Sequence, residues 1–526
     1  MQGAAPTLDV RRLSAVLAHR LMRERPSGSR WGRLGWDPGG GAQLRYSRVE
    51  CSLGSPVGPA NFPGESMSKL LKGGLAVGGV AFAVGYIKWA LHSEPRYASW
   101  ERASFSDFEH KVLVLGGGFA GYNVAKNICD MTRGRSDVGV MVIARDNYLT
   151  FWPMVPGVVS SDVGVRNIAQ PLRRTLIHAG ASFRRAEVES VDFERKIVRA
   201  GGKEFPYDHV VFALGAQPAF FGIPGVEEHA ISMKGITSAV SIRDRVIERF
   251  EEATMEGGDV PVSKLTFVVI GAGATGVETA AQLHVLIHEV LGPEYPNINT
   301  NRFRIFLLDA LPNILPELDP GLRRVARSQL ASRDIEVWTN ALAEEITDDC
   351  VKLKDGRAVA SENVVWTAGS RPNARLAELD SLPLVEKTNG LKVDECLRVE
   401  GRDGLWGLGD NATIPDGEGG FVPPNAQAAV KAGGHLARNI LAAIDGGEIT
   451  PFHYKSQGQL IDLGSQFAVN DVFGVKFSGR LASLFWRGAY LVRLQSPQGR
   501  VRQGLDWVLE YVSRPTVAQI RGSSAE

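Results

Sequence analysis

Sulfur is scarce in this chain. Four cysteines occur in 526 residues, at Cys51, Cys129, Cys350 and Cys396. None stand in C-x-x-C spacing, so neither a zinc ribbon nor a disulfide framework is suggested. The ten histidines form no H-E-x-x-H cluster, and no metal is expected. Charge of one sign is missing too. The net charge is +1, and the basic residues are not pooled in one folded block, which argues against a nucleic-acid partner. Long apolar runs are few, the marked one being Gly73–Ile87, fifteen residues without a charge between Lys72 and Lys88. The length allows three or four domains, each with a substantial core.

Glycine, by contrast, is placed with purpose. Val112–Leu115 reads as a buried strand and runs into Gly116-Gly117-Gly118-Phe119-Ala120-Gly121, then into a helical pattern. This is G-x-G-x-x-G between a strand and a helix, the context in which the motif carries meaning. Gly116 permits the tight turn, Gly118 lets the backbone approach a pyrophosphate, and Gly121 lets helix and strand pack closely. A second copy follows 155 residues later in FVVIGAGATGVETA, with Gly271, Gly273 and Gly276 in the same places. Two copies suggest a chain that holds two dinucleotides against each other.

The strand after each loop differs at its end. In the Rossmann pattern an acid there binds the ribose. Val138–Ile143 ends at Ala144 and Arg145, so the first site lacks that carboxylate. Phe303–Leu308 ends at Asp309, which can accept both ribose hydroxyls and would repel a 2′-phosphate; the second site should prefer NADH to NADPH. His209–Gly215 and Asn363–Gly369 are apolar strands ending in Gly, each after a stretch of alternating strands, Ala186–Val198 and Ala343–Leu353. Leu405–Ala412 leads to Gly409-Asp410, a place suited to a hydrogen bond with a flavin's ribityl chain. A helix is expected over Asn425–Ile440, with Pro423-Pro424 as its start signal.

The ends are different in kind. Residues 1–66 hold nine Arg, no Lys and five acids, with much Gly, Pro and Ser. They read as a disordered N-terminal extension, with a transit peptide and an over-long start before Met67 both open. Residues 67–92 are a candidate transmembrane helix, short but with lysines able to snorkel; a cleaved signal and a buried core segment are the alternatives. At the other end, residues 475–514 carry seven basic residues and two acids. Within Phe477–Leu494, the residues Leu481, Leu484, Phe485, Gly488 and Val492 follow helical spacing. Arg480 and Arg487 lie off that face, and Trp486 and Tyr490 suit a headgroup zone. This stretch, with Leu505–Val512 as a second candidate, reads as basic amphipathic helices on a membrane surface.

Taken together these stretches resemble a known family. VLVLGGGFAG, ARDNYLTFWPM (Ala144–Met154), ALGAQPAFFGIPG (Ala213–Gly225), VVIGAGATGVETA, WTAGSRPN (Trp366–Asn373), GLGDNA (Gly407–Ala412) and PPNAQAAVKAG (Pro423–Gly433) are similar to the type II, single-subunit, non-proton-pumping NADH:quinone oxidoreductases, within the two-dinucleotide-binding-domain flavoproteins. The matching stretch runs from about Val112 to Tyr511. The resemblance implies an α/β fold of two Rossmann-like domains, the NADH domain inserted in the FAD domain. The expected division is 108–226 and 371–445 for FAD, 227–370 for NADH, and 446–526 for a C-terminal membrane-associating region.

The same resemblance implies the site. FAD would be held by Gly116, Gly118, Phe119, Ala120 and Gly121, with Arg145, Pro153 beside Phe151, Gly215, Ala216, Asp410 and Ala426. NADH would be held by Gly271, Gly273, Ala274, Gly276, Asp309, Ala368 and Gly369. Glu278 would lie at the nicotinamide–flavin junction and Gln427 by the flavin and the quinone. Two departures stand out. Ala144 replaces the family's frequent acid, and Lys431 replaces the second Gln of its A-Q-x-A-x-Q-Q-G motif, placing a cation in the catalytic set. The partners implied are a membrane quinone and a lipid surface, with a homodimer open. The catalytic domains would face the cytoplasm, or an organelle's matrix or stroma. The rival readings are a reductase of a soluble acceptor and a sulfide:quinone reductase. The absence of a C-x4-C pair after the first fingerprint, whose helix carries only Cys129, speaks against sulfur-relay relatives.

Overall fold

A computed structural model describes residues 105–257, 260–379, 381–510 and 515–519, all within the unit Ala76–Glu526. The expected disordered extension and candidate spanning helix lie outside the described residues. No helix among the described residues is long and apolar enough to cross a membrane.

Two parallel sheets carry the fold. The first gathers β1 (His110–Leu115), β2 (Val138–Ala144), β3 (Ser182–Arg185) and β4 (His209–Phe212). The chain then leaves to build a second sheet from β5 (Ala230–Ser232), β6 (Thr266–Ile270), β7 (Arg304–Leu308), β8 (Ile335–Trp338) and β9 (Asn363–Trp366). It returns to the first sheet with β10 (Leu405–Gly407). The orders are β10-β4-β1-β2-β3 and β5-β9-β6-β7-β8, every neighbour parallel. β1 and β6 are central in both and are continuous apolar runs, as strands covered on both faces must be. The passage out and back is a two-stranded antiparallel ribbon, Ala216–Pro218 against Ser370–Pro372. The regions expected at Ala186–Val198 and Ala343–Leu353 are three-stranded meanders.

The principal helices start where the strands stop. α1 (Phe119–Met131) follows β1 and α2 (Ala274–His284) follows β6. α3 (Ala426–Asp445) packs along α1, with Asn425 capping it by accepting from the Ala428 amide at 2.9 Å. Small residues allow the approach: a Cβ at Gly433 would press on Asn123 and the Ala120 carbonyl.

The C-terminal stretch differs from expectation. It is not helical from Phe477. β11 (Gly458–Asp462), β12 (Ala468–Val472) and β13 (Val475–Gly479) form an antiparallel sheet, with Phe477 paired to Asn470. Gly479, at φ 91°, makes the break before α4 (Arg480–Arg493), and α5 (Pro497–Glu510) follows. Ala482 and Trp486 of α4 are buried, with Trp486 3 % exposed, and Tyr490 packs edge-on to Trp486 and to Phe151. Those aromatics are core, not headgroup contacts. Arg487 also turns inward, pairing with Asp162 at 2.9 Å and Glu510 at 3.3 Å. The stripe of Leu481, Leu484, Phe485 and Val492 is exposed as the spacing implied, and so are Leu505, Val508 and Leu509 of α5.

Candidate functional site

Both glycine loops take the geometry their spacing demands. Gly116 (φ 114°) and Gly271 (φ 105°) occupy backbone conformations that favour glycine. A Cβ at Gly121 would overlap the Gly116 carbonyl oxygen, and one at Gly276 the Gly271 carbonyl oxygen. Gly118 and Gly273 face open space, with no heavy atom within 4 Å of where a Cβ would stand. Each directly precedes a helix N-terminus, with Phe119 and Ala120 opening α1 and Ala274 opening α2. Crowded third glycine, open middle glycine and free helix amides together make a cradle for an anionic pyrophosphate.

Around the first loop the expected residues converge. Gly409 approaches the Ala120 and Ala429 side chains, which brings the Gly409–Asp410 turn to the loop and to the start of α3 near Ala426. Asp410 accepts no hydrogen bond among the described residues, and burial pushes its carboxyl above the ordinary range. A hydroxyl-rich ligand would supply the missing donors. Gly215 (φ 70°) donates to Asn411 Oδ1 at 3.3 Å and accepts from the Asn373 amide at 3.1 Å, and Ala216 enters the ribbon. Phe151 stacks edge-on against Phe119, with Pro153 in the following short 3-10 turn. Arg145 is exposed and paired with Asp146 at the end of β2. Ala144 closes β2, its methyl 3.1 Å from where a side chain at Gly117 would stand.

The second loop is braced by its own strand ends. Asp309 accepts from the Ala272 amide within the loop and from the Leu311 amide at 2.7 Å. Its carboxylate is therefore partly engaged by backbone, which leaves only its remaining lone pairs for a ligand. Thr367 donates to the Ile270 and Gly271 carbonyls at 2.8 Å, so the segment before Ala368 and Gly369 is tied to the loop. The Phe221 ring lies where a side chain at Gly369 would stand.

One strand joins the two halves. At its first residue, β11 offers the Gly458 carbonyl to the Gln427 amide at 2.8 Å, while Gln427 Oε1 accepts from the Gln457 amide at 3.2 Å. At its last, the Asp462 amide donates to Glu278 at 3.1 Å. Glu278 is 7 % exposed, and burial pushes its carboxyl well above the ordinary range. Lys431 stands apart. Its ammonium donates to the Lys455 carbonyl and lies 5.4 Å from the Tyr454 ring centre, in an open groove with Asn127, His435 and Arg438.

Sequence reasoning missed several residues here. Lys234 donates to Ser370 Oγ at 3.1 Å and faces Asp410; loss of hydration around its ammonium lowers its pKa. Gln282 Nε2 donates to Asp462 at 2.7 Å, and Ser160 Oγ donates to Gln282 Oε1. The signal available was the acid interrupting the apolar run Leu460-Ile461-Asp462-Leu463. Cys350 and Cys396 sit on unrelated elements, in a meander strand and in a turn beside Asn439, and make no dithiol.

A family model for pyridine nucleotide-disulphide oxidoreductases matches residues 110–433. Among curated relatives, a type II NADH:quinone oxidoreductase of Mycobacterium tuberculosis is 30 % identical over 420 residues, covering 77 % of this chain and 88 % of its own. The chain belongs to the type II NADH:quinone oxidoreductase family. An external alternative NADH-ubiquinone oxidoreductase of Yarrowia lipolytica is 28 % identical over 469 residues, 76 % of this chain and 78 % of its own. The structure of NDH2 from Plasmodium falciparum with NADH shares the fold at a TM-score of 0.71 and 20 % identity, covering 77 % of this chain and 98 % of that one. FAD and NADH are the cofactors of this family, and the first loop fits FAD: the open space at Gly118 would admit a pyrophosphate and the donor-starved Asp410 would suit ribityl hydroxyls.

Proposed function

We propose that this protein oxidises NADH through FAD and passes two electrons to a membrane quinone without pumping protons. The observation that carries the reading is β11, which joins Gln427 beside the FAD cradle to Glu278 on the NADH helix. Residues 108–226 and 371–445 would bind FAD, and residues 227–370, through Gly273 and the free lone pairs of Asp309, would bind NADH rather than NADPH. Bound flavin supplies two-electron chemistry. This chain's own residues orient it, hold the nicotinamide opposite, and exclude water with Phe119, Phe151 and Tyr490. Lys431 would act at a distance, through charge, since its ammonium is engaged outside the site.

The bilayer contact is read from α4 and α5. Leu481 and Val492 are 78 % and 71 % exposed, and Leu484, Phe485, Leu505, Val508 and Leu509 are exposed as well. So many large exposed apolar side chains on consecutive helices mark an interaction surface. A lipid surface suits it because the acceptor is lipid-soluble, and the catalytic domains would then lie on the cytoplasmic, matrix or stromal side. A homodimer across the same surface is the competing occupant. The test is anaerobic mixing of the flavin-loaded protein with NADH, then with a short-chain quinone. Bleaching of the flavin and its recovery on adding quinone are expected; a flavin that stays oxidised overturns the reading. Recovery with a soluble protein acceptor but no quinone would favour the soluble-acceptor alternative. Co-sedimentation with anionic vesicles, against light scattering for a dimer, decides the occupant.

A further inference from the structure

Glu278 does not stand alone. Asp462, also 7 % exposed, receives Gln282 at 2.7 Å on one side and directs its own amide at Glu278 on the other. Neither carboxylate has a hydrogen bond from a cation among the described residues. The charged groups that face Asp462 are bound elsewhere. Arg487 on α4 is paired with Asp162 and Glu510, and Arg333 donates to the Leu463 and Gly464 carbonyls. Asp162 adds a like charge from the segment after the Trp152–Met154 turn, and Tyr490 stands by Glu278. The Asp462 amide on Glu278 makes the two buried carboxyls neighbours with no cation hydrogen-bonded to either, an arrangement that favours keeping one proton on the pair.

Quinone reduction needs that proton. A quinone becoming a quinol takes two electrons and two protons; NADH gives two electrons and one proton as hydride, and the second proton must come from an acid. We propose that Asp462 is the proton-holding partner of Glu278, and that the two share the proton consumed when the acceptor is reduced. An O–H bond on the pair breaks, an O–H bond on the quinol forms, and the medium returns a proton afterwards. Gln282 and Ser160 fix the pair's geometry. An amide does not readily relay a proton, so their link to the Asp162–Arg487–Glu510 cluster carries charge effects and not the proton itself. Burial, then Asp162, pushes Asp462 up to about 7, close to where a proton is both held and released. The inference rests on the function proposed above.

The test is an infrared pH titration of the flavin-loaded wild type, Asp462→Asn and Glu278→Gln, paired with stopped-flow of both half-reactions. In the wild type a protonated-carboxyl band should fade near pH 7. In Asp462→Asn it should be lost or move to a different pH, and reoxidation by a short-chain quinone should slow on the order of 100-fold at alkaline pH. Reduction by NADH should slow far less. Should Asp462→Asn fold poorly, Glu278→Gln reads the pair from its other member and should displace the Asp462 titration. An infrared titration and reoxidation profile unchanged by either variant overturns the proposal. A wild type whose flavin NADH does not bleach ends the oxidoreductase reading instead, and the infrared titration still reports on Asp462.

Discussion

A single methyl group separates two kinds of glycine in the nucleotide loops. At Gly276 it would collide with the Gly271 carbonyl, so Gly276→Ala should cost about 1–3 kcal/mol, read as a lower denaturation midpoint. At Gly273, where φ is −69° and the space is open, Ala should fold normally. Its methyl would stand where the pyrophosphate approaches, so KM for NADH should rise while the melting temperature holds. Asp462 gives a pH signature of its own. Its carboxyl is ordinarily near 3.8 and here is pushed up to about 7. Below the ordinary value both folded and unfolded chains are protonated. Between the two values the folded chain holds the extra proton, so its stability falls as pH rises and the full penalty is reached above 7. The melting-temperature difference, Asp462→Asn minus wild type, should therefore grow from about pH 4 to pH 7 and then level off, for a gain on the order of a few kcal/mol. The glycines and Asp309 were legible because their chemistry is local. Asp462 was not, because the fold alone, and no spacing, brings it to Glu278.

At the scale of the element, α4 shows why periodicity finds a helix and not always its orientation. Its apolar residues fall on two faces. Ala482, Trp486 and Tyr490 make the inner one; Leu481, Leu484, Phe485 and Val492 make the outer. Both have helical spacing, and only packing selects between them. Phe477 was drawn into β13 by pairing with β12, a contact no local window contains. The two faces should respond differently to substitution. Trp486→Ala should destabilise by about 3–5 kcal/mol, visible in the melting curve. Replacing Leu481, Leu484, Leu505 and Leu509 together by Gln should leave that curve almost unmoved and abolish vesicle co-sedimentation.

For the whole molecule, two strand–loop–helix units and the excursion between them were readable because each step uses neighbours in sequence. The C-terminal sheet was not. Short, glycine-flanked and mixed in polarity, its strands gain meaning only against α2 and α4. Removing residues 475–526 would strip β13, Trp486 and the fully buried Leu494 from the core. Such a truncation should lower the melting temperature and reduce flavin retention, and not merely release the protein from lipid. β11 carries a last consequence. Its ends are anchored on α3 and α2 and its register is set by β12, so the span from Gln427 to Glu278 is metered by a count of peptide units. An insertion or deletion there would shift one anchor against the other, whereas replacing the partly exposed Gln459 or Leu460 would leave the span intact.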